Sequence, residues 1–370
     1  LTAPTLASSN ITWEKVYTTN VGLDWTMLNG RLTGSFDYYI RDTKDMVVRR
    51  TYPAVLGTTG GKENLADMRT KGMELSFTWN DEIKNVAGSP LSYSVGIGIS
   101  DNTSEITRYD NPTKSLNETY YEGMKIGEIW GYETEGFIQD KTKAAEMADR
   151  QSFISTTWIP GDIKYADLDG NGKINQGNNR VGDSGDRKII GNNTPRYNFN
   201  INLGGSWKGF DLRLFFQGTM KRDIWLDSPI FWGYDGMWSS CLNDYHVDNS
   251  WSATNTNAYY PVPLFDKRSK QVQSKYIQNG AFIRLKDVTL SYTIPKTLTS
   301  RIGIQQLKVY VSGQNLWEAT GLYKYLDPDV VGSRRTSTAD NKTVGDLAAD
   351  AGGRVYPFTR SYSFGINVTF

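Results

Sequence analysis

The chain has 370 residues, a formal net charge of +1 and a single cysteine, Cys241. This charge gives no concentrated basic surface for nucleic acid, one cysteine leaves no intrachain disulfide, and the lack of a run of about 18 apolar residues excludes helical membrane spans. The 22 Tyr, 14 Phe, 11 Trp and 36 Gly favour β structure with many turns.

The sequence reveals no export signal at its amino terminus. Residues 1–10 lack a basic region followed by an apolar core, so we expect no signal peptide in this chain. Such a sequence belongs either to a cytosolic protein or to a protein whose start is missing. The single histidine, His246, disfavours histidine-based catalysis and zinc binding, and we interpret it as an ordinary loop residue.

About nine segments alternate apolar and polar residues, which predicts β-strands with one apolar and one polar face. The Asn29-Gly30 pair between the first two segments suits a tight hairpin. In the last segment Tyr362, Phe364 and Phe370 fall on the apolar face. The segments are 17–27, 32–40, 72–79, 93–100, 197–204, 210–216, 288–294, 307–311 and 362–370.

The connections between these segments differ in length in a regular way. We expect short turns near residues 29, 84, 208 and 299 and long loops near residues 60, 141, 248 and 340. Short turns on one side and long loops on the other are typical of bacterial outer-membrane barrels and not of Greek-key sandwiches.

Two of the long loops carry patterns of their own. We interpret 101–193 as a long extracellular loop region with a helix at 141–150 and a local hairpin at 129–137. The region 219–280 is predicted to be a second extracellular loop, rich in aromatic residues.

The polar strand faces indicate a wide aqueous interior. They carry charges that lipid would disfavour and a large lumen tolerates, at Asp24, Asp37, Glu74, Asp211 and Arg213. Single-chain bacterial barrels have even strand numbers, so an odd nine predicts part of a larger barrel. We therefore predict an all-β chain in which residues 1–370 form the carboxy-terminal portion of a large antiparallel transmembrane β-barrel.

A series of short motifs occurs in order along the chain. The motifs include Asn20-Val21-Gly22-Leu23-Asp24, Lys71-Gly72-Met73-Glu74-Leu75, Pro160-Gly161-Asp162-Ile163-Lys164-Tyr165-Ala166-Asp167, Lys208-Gly209-Phe210-Asp211-Leu212, Ala281-Phe282-Ile283-Arg284-Leu285-Lys286-Asp287, Gly313-Gln314-Asn315-Leu316 and the final strand from Tyr362 to Phe370. This ordered series resembles the SusC/RagA-type TonB-linked outer membrane proteins. The resemblance covers essentially the whole chain, and its specificity comes from the ordered series more than from any one motif.

The resemblance implies a barrel of about 22 strands filled by a plug domain, located in the bacterial outer membrane. The plug and the amino-terminal barrel would be absent from this chain. The implied function is TonB-dependent import of oligomeric nutrients, most often glycan oligosaccharides, together with a SusD-type surface lipoprotein and further surface glycan-binding or glycan-degrading lipoproteins. Oligopeptide import by the same machinery is the close alternative. The aromatic residues Tyr362, Phe364 and Phe370 resemble a signal for the barrel assembly machinery.

The stretch 167–175 has the spacing of a calcium-binding loop. Oxygen-bearing side chains stand at positions one, three and five, a glycine at six and an apolar residue at eight. Position twelve is Asn178, so Asp183 or Asp186 would have to supply the missing carboxylate. The alternative is an Asx-turn loop without metal. The candidate residues are Asp167, Asp169, Asn171, Lys173, Asn175, Asp183 and Asp186.

The second long loop is a candidate surface for cargo or for a protein partner. Aromatic faces beside Asp and Asn suit sugar rings, and aromatic residues also dominate protein interfaces and loop packing. We favour packing and partner contact over ligand contact. The candidate residues are Trp225, Trp232, Tyr234, Trp238, Trp251, Tyr259 and Tyr260.

No arrangement of residues predicts an enzyme. Glu133 with Glu135, and Asp223 with Asp227, are spaced carboxylates, but nothing places either pair around a reacting atom. The only rival from another class is a soluble all-β surface binding module, which would be a water-soluble monomer when expressed alone.

Overall fold

The computed structural model describes residues 11–49, 61–117, 120–234, 240–331 and 356–370. The strands are β1 (Lys15–Met27), β2 (Leu32–Arg49), β3 (Lys62–Val86), β4 (Ser89–Arg108), β5 (Glu128–Tyr132), β6 (Thr134–Phe137), β7 (Ile163–Tyr165), β8 (Arg187–Asn192), β9 (Arg196–Trp207), β10 (Phe210–Lys221), β11 (Asp223–Ile224), β12 (Gln278–Asn279), β13 (Phe282–Thr293), β14 (Gln306–Thr320) and β15 (Ser361–Thr369). The α-helices are α1 (Lys141–Arg150), α2 (Pro229–Trp232), α3 (Asp244–Asn249) and α4 (Lys296–Thr299), and 3₁₀ turns occur at Arg268–Lys270, Ser274–Tyr276 and Ser300–Ile302.

Nine strands form one antiparallel sheet in the order β1-β2-β3-β4-β9-β10-β13-β14-β15. Each strand pairs with the next long strand along the chain, so the sheet is a meander without crossovers. The nine segments predicted from alternation are these nine strands, which confirms the all-β interpretation.

The register brings the apolar residues of neighbouring strands into continuous rows on one face. One such row consists of Leu23, Phe36, Leu75, Ile99 and Phe199. The opposite face is polar, with a row of Asp24, Ser35, Ser76, Gly98, Asn200 and Gln217. Because a strand's side chains alternate between faces, this register fixes which face meets an apolar and which a polar environment.

Tight turns join the strands at one end of the sheet. Residues 208–209 connect β9 to β10, and Lys208 and Gly209 both have positive φ, as a type I′ hairpin turn requires. Residues 28–31 and 87–88 make the other short hairpins, and residues 294–305 form a longer connection that contains α4. At the opposite end the connections 109–195, 222–281 and 321–360 are far longer, which confirms the predicted separation for these three loops and the three hairpin turns. The separation fails for the remaining two connections, because 50–61 and 294–305 have twelve residues each.

Two boundaries differ from the sequence prediction. Strands β3 and β4 continue to a two-residue turn at 87–88, where we expected a turn near residue 84. The alternation ends earlier because residues 80–85 are mostly polar, but ladder hydrogen bonds join backbone groups and do not need apolar side chains.

The predicted hairpin at 129–137 is wrong. Strand β5 pairs with β8, and β6 pairs with β7, so the two strands of the expected hairpin do not pair with each other. Only Glu133 separates β5 from β6, which is too short for a two-residue hairpin turn, and the chain continues in an extended conformation. The predicted helix at 141–150 is α1, and the Asp140 side chain caps it by accepting a hydrogen bond from the Lys143 amide.

The main buried core lies in the long loops and not on the sheet. We define the loop assembly as residues 109–195, 222–281 and 321–331. Its buried apolar residues come from all three segments, including Tyr165, Phe231 and Val331. Among the described residues, no helix combines the length and the apolar composition that a membrane span needs.

Candidate functional site

The loop assembly is centred on the ring of Phe231, which is 0% exposed. Strand β10 leads through residues 222–228 into the short helix α2, and the Ser228 side chain caps this helix by accepting a hydrogen bond from the Phe231 amide. Five other rings surround Phe231, mostly edge to face, at centroid distances of 5.2 to 6.5 Å: Trp232, Tyr259, Tyr260, Tyr276 and Tyr323. Such edge-to-face contacts add to the stabilisation from burial.

The seven predicted aromatic contact residues do not share one environment. Trp225, Trp232 and Tyr260 are buried in the core of the loop assembly. Tyr234, Trp251 and Tyr259 are half-buried, and Trp238 lies outside the described residues. Contact with cargo therefore stays a prediction. Of the described candidates, only the half-buried residues are accessible enough for it.

His246 is a buried, hydrogen-bonded member of this core, whereas the sequence analysis interpreted it as an ordinary loop residue. It is fully buried, and its Nε2 lies 3.1 Å from the Phe231 carbonyl oxygen while Nδ1 accepts a hydrogen bond from the Asn243 amide. Burial lowers the pKa of His246, so the ring is neutral near pH 7, with Nε2 donating to Phe231. The Asn243 to His246 spacing of an N-capped helix was the available signal.

The predicted calcium loop brings three of its seven candidates together. Carboxylate oxygens of Asp167, Asp169 and Asp186 all lie within 4.8 Å of one another. Of the two residues that could supply the missing carboxylate, Asp186 is therefore the one that lies beside Asp167 and Asp169. Asp183 does not join this group, since its carboxylate accepts hydrogen bonds from the Asn178 backbone and side chain.

The remaining candidates form the turn itself. The Asn171 side-chain oxygen accepts a hydrogen bond from the Lys173 amide at 2.8 Å, and the Asn175 side-chain oxygen accepts one from Gly177 at 2.6 Å. The Lys173 ammonium pairs with Asp149 and lies apart from the three carboxylates. Gly170 and Gly172 have positive φ, a conformation that favours glycine.

The carboxylates of this loop differ in their electrostatics. Asp186 is fully buried, and burial raises the pKa of its carboxyl group above the ordinary value of 3.8, although hydrogen bonds from the Asn175 and Leu168 amides lower it. For Asp167 burial also raises the pKa, but hydrogen bonds from the Gly172 and Gly170 amides outweigh it and lower the pKa overall. A divalent cation would relieve the cost of keeping Asp186 ionised in this position.

A buried arginine joins the loop assembly to the sheet. Arg284 of β13 is 1% exposed and pairs with Glu318 of β14 and with Asp327 and Asp329 of the loop assembly. Strands β10, β13 and β14 pair irregularly here, and this leaves Lys286 without a ladder partner and 2.6 Å from Asp329. Bulges commonly redirect side chains in this way.

Within this cluster, Asp327 is stabilised in its ionised form. Burial raises the pKa of Asp327, but hydrogen bonds from Arg284 and from the Asp329 and Phe358 amides outweigh it and lower the pKa below 3.8. Asp327 also accepts from the Phe358 amide at 3.0 Å, so the cluster fixes the start of the segment that leads into β15.

Each of the spaced carboxylates considered for catalysis contacts a different partner. Glu133 pairs with Lys188, Glu135 pairs with Lys164, and Asp227 lies 3.7 Å from Lys267. Asp223 accepts a hydrogen bond from the Asn192 amide.

Comparison with known proteins identifies relatives along almost the whole chain. The profile of the family described as "TonB dependent receptor-like, beta-barrel" matches residues 1–316. The TonB-dependent receptor P3 of Formosa agariphila is 30% identical over 376 residues, which cover 98% of this chain and 35% of that protein. The TonB-dependent receptor SusC of Bacteroides thetaiotaomicron is 26% identical, over 88% of this chain and 31% of that protein.

Solved structures give the same fold. A structure titled as the RagAB peptide importer in the "open-open" state matches with a TM-score of 0.68 and 21% identity, over 98% of this chain and 35% of that chain. A structure titled as the RagAB peptide transporter matches with a TM-score of 0.67 and 21% identity, over 97% of this chain and 36% of that chain. The chain therefore spans about a third of the length of these proteins.

Proposed function

Because this chain belongs to the TonB-dependent receptor-like β-barrel family of the bacterial outer membrane, we propose that the whole protein actively imports oligomeric nutrients across that membrane in a TonB-dependent manner. The observation that carries the proposal is the sheet of nine antiparallel strands with an apolar and a polar face. In a closed barrel the apolar face meets lipid and the polar face lines the path of the cargo. The family identity favours this function over a soluble binding module.

Uptake in whole cells tests the proposal. Cells that make the complete transporter are given labelled oligosaccharides or oligopeptides, with and without a functional TonB system. We expect uptake of one of these classes and its loss without TonB. Uptake that continues unchanged without TonB, or uptake of neither class, would overturn the proposal.

We propose glycan oligosaccharides as the cargo class. The loop assembly offers half-buried rings, including Trp251 and Tyr259, and aromatic faces with nearby amide and carboxylate groups suit the apolar and hydroxyl surfaces of sugars. Oligopeptides are the second candidate, since a structure with the same fold is titled as a peptide importer. The two labelled pools in the uptake experiment decide between the classes.

The proposed partners are a SusD-type surface lipoprotein, TonB, and the plug and remaining barrel of the complete protein. Exposed apolar side chains of the loop assembly support a protein partner on this side of the sheet. They include Phe153, Leu242, Val247, Phe265 and Tyr325. Co-purification of the lipoprotein with the transporter tests this proposal, and charged substitutions at Val247 and Tyr325 are expected to weaken it.

We further propose that calcium binds at Asp167, Asp169 and Asp186 and stabilises the loop assembly. The convergence of three carboxylates within 4.8 Å supports this, and oxygen ligands are those that calcium prefers. Calcium at about 100 times its Kd would stabilise the folded form by about 2.7 kcal/mol.

Melting curves of the complete transporter test this site. We expect calcium to raise the melting temperature of the wild type and of Asp183→Asn, whose side chain lies outside the cluster. The shift should be lost in Asp186→Asn. Equal shifts in both variants would place calcium elsewhere, and no shift in the wild type would exclude the site.

A further inference from the structure

Hydrogen bonds to the His246 ring of α3 fix which of its nitrogens carries the proton. Nδ1 lies 3.3 Å from the Asn243 amide, which can only donate, so Nδ1 is the acceptor. Nε2 carries the proton and donates to the Phe231 carbonyl oxygen at 3.1 Å. A second proton would have to bind Nδ1, because a protonated imidazole is a donor at both nitrogens. That proton would face the Asn243 N–H, and the hydrogen bond between them would be lost.

The same hydrogen bond caps α3. The Asn243 side-chain oxygen accepts from the His246 amide at 3.3 Å while the His246 ring accepts from the Asn243 amide, which makes a reciprocal capping box. At the other end, the Ser250 hydroxyl donates to the His246 carbonyl oxygen at 2.6 Å. With six residues, α3 is too short to be stable by itself. Its order therefore depends on this cap and on the packing of the His246 ring.

The described groups that face the ring carry no negative charge that could compensate a second proton. The rings of Tyr245, Tyr260 and Tyr323 lie at centroid distances of 6.4, 5.2 and 6.4 Å, and the Tyr323 hydroxyl is 3.4 Å from Nε2. Phenol groups are neutral in acid. On the side of α2 the ring packs against Gly233 and backbone carbonyl groups. Since His246 is 0% exposed, water does not solvate an added charge there.

Nearby charged groups do not favour protonation either. The Lys324 ammonium lies 4.8 Å from the centre of the Tyr245 ring, so this neighbourhood already holds one positive charge. Within the described residues, which include Asp244 and Asp248 of α3, no carboxylate pairs with the His246 ring. Burial accordingly lowers the pKa of His246 below its ordinary value of 6.5. The doubly protonated ring is therefore more stable in a state in which α3 has left the aromatic core.

We propose that His246 is a pH switch: when its ring takes up a second proton, α3 separates from the rings around Phe231. Val247 of α3 is 59% exposed, and Leu242, just before the helix, is 47% exposed. Both side chains belong to the apolar surface proposed for a protein partner, so acid would also break up that surface. The opening of α3 follows from the packing of the loop assembly and does not depend on the proposed function.

The direction of the pKa shift gives the pH range of the switch. Below pH 6.5, the separated form of α3 binds the second proton more readily than the packed form, whose pKa is lower. The contribution of the buried ring to stability is therefore complete above pH 6.5. It decreases as the pH falls through this value towards the lowered pKa of the packed form.

Hydrogen exchange of the complete transporter in detergent at pH 7 and pH 5 tests the switch. Labelling times are adjusted for the intrinsic pH dependence of amide exchange. We expect the protection of residues 243–250 to fall about tenfold between pH 7 and pH 5. The protection of α1, which lies in the same loop assembly and contains no histidine, should not fall. Equal protection of 243–250 at both pH values would overturn the inference.

Two variants remove the uptake of the proton. His246→Gln keeps a donor for the Phe231 carbonyl oxygen, and His246→Asn keeps an acceptor for the Asn243 amide, but neither side chain ionises. We expect each variant to show the same protection of 243–250 at pH 7 and pH 5. A tenfold fall in both variants, as in the wild type, would overturn the inference. If both variants have lost this protection already at pH 7, the wild-type comparison of 243–250 with α1 decides.

Discussion

The sheet and the loop assembly use the same residue types in opposite ways. Phe364 of β15 is 74% exposed on the apolar face of the sheet, whereas Phe231 of the loop assembly is 0% exposed within a cluster of rings. The sheet keeps its order through backbone ladders and turns, and its apolar face is suited to lipid. The loop assembly depends on a conventional buried core, although it consists of connections.

The largest expected effect is the loss of the central ring of the loop assembly. Phe231→Ala should destabilise the loop assembly by about 3–5 kcal/mol, because it removes a fully buried ring and leaves a cavity. Limited proteolysis of the complete transporter should then cleave within residues 222–281 while the sheet stays intact.

The control for this variant is Phe265→Ala, which removes an exposed ring of the same segment and should have little effect. Equal protection of Phe231→Ala and wild type would show that the loop assembly does not depend on its core.

The second effect concerns the attachment of the loop assembly to the sheet. Arg284→Ala should lower the stability of the loop assembly by about 3 kcal/mol, because it leaves Asp327 and Glu318 without their buried cation. Hydrogen exchange should become faster in residues 322–331.

Arg31→Ala is the matched control, since it breaks an exposed ion pair with Asp81 at 3.5 Å and should cost less than about 1 kcal/mol. If exchange in 322–331 is unchanged in Arg284→Ala, the buried cluster does not hold this segment.

The third effect tests the sheet alone. A Cβ atom at Gly218 would collide with the backbone carbonyl oxygen of Phe282 on the paired strand, so Gly218→Ala should cost about 1–3 kcal/mol and disturb the pairing of β10 with β13. Gly205→Ala is the control, because a Cβ there meets nothing within 4 Å. Heat resistance of the folded barrel on a gel measures both, and equal resistance would contradict the prediction.

The smallest effect is a pH dependence in the loop assembly. The pKa of Asp186 is raised above 3.8 by burial, so in metal-free protein its contribution to stability is complete below pH 3.8 and is lost as pH rises through the raised pKa. The melting temperature of the wild type relative to Asp186→Asn should therefore decrease over this window. A relative increase with pH would show that the folded state favours the ionised carboxylate.

The sheet and the loop assembly also differ in how much of their structure the sequence could predict. Alternation identified all nine sheet strands, because a two-residue period depends only on neighbours such as Tyr362, Ser363 and Phe364. The candidate calcium residues Asp167 and Asp169 were visible through their spacing, and Asp186 remained one of two options until the fold brought it back to them.

The rest depends on contacts between distant segments. Strands β5 and β8 are separated by more than fifty residues, and the ring of Tyr323 packs on Phe231 from another loop. No local sequence pattern predicts either contact. The sequence identified Arg284 only as part of a motif. Its buried ion pairs could not be predicted, because Asp327 and Asp329 belong to a different connection.

The separation of short turns from long connections has a consequence for how such proteins diversify. Two-residue turns such as 87–88 and 208–209 set the register of each hairpin from one end, so the connection at the other end does not have to specify it. Insertions and replacements in those connections leave the strand pairing unchanged. A lineage can therefore replace its long connections while it keeps the same strand pairing.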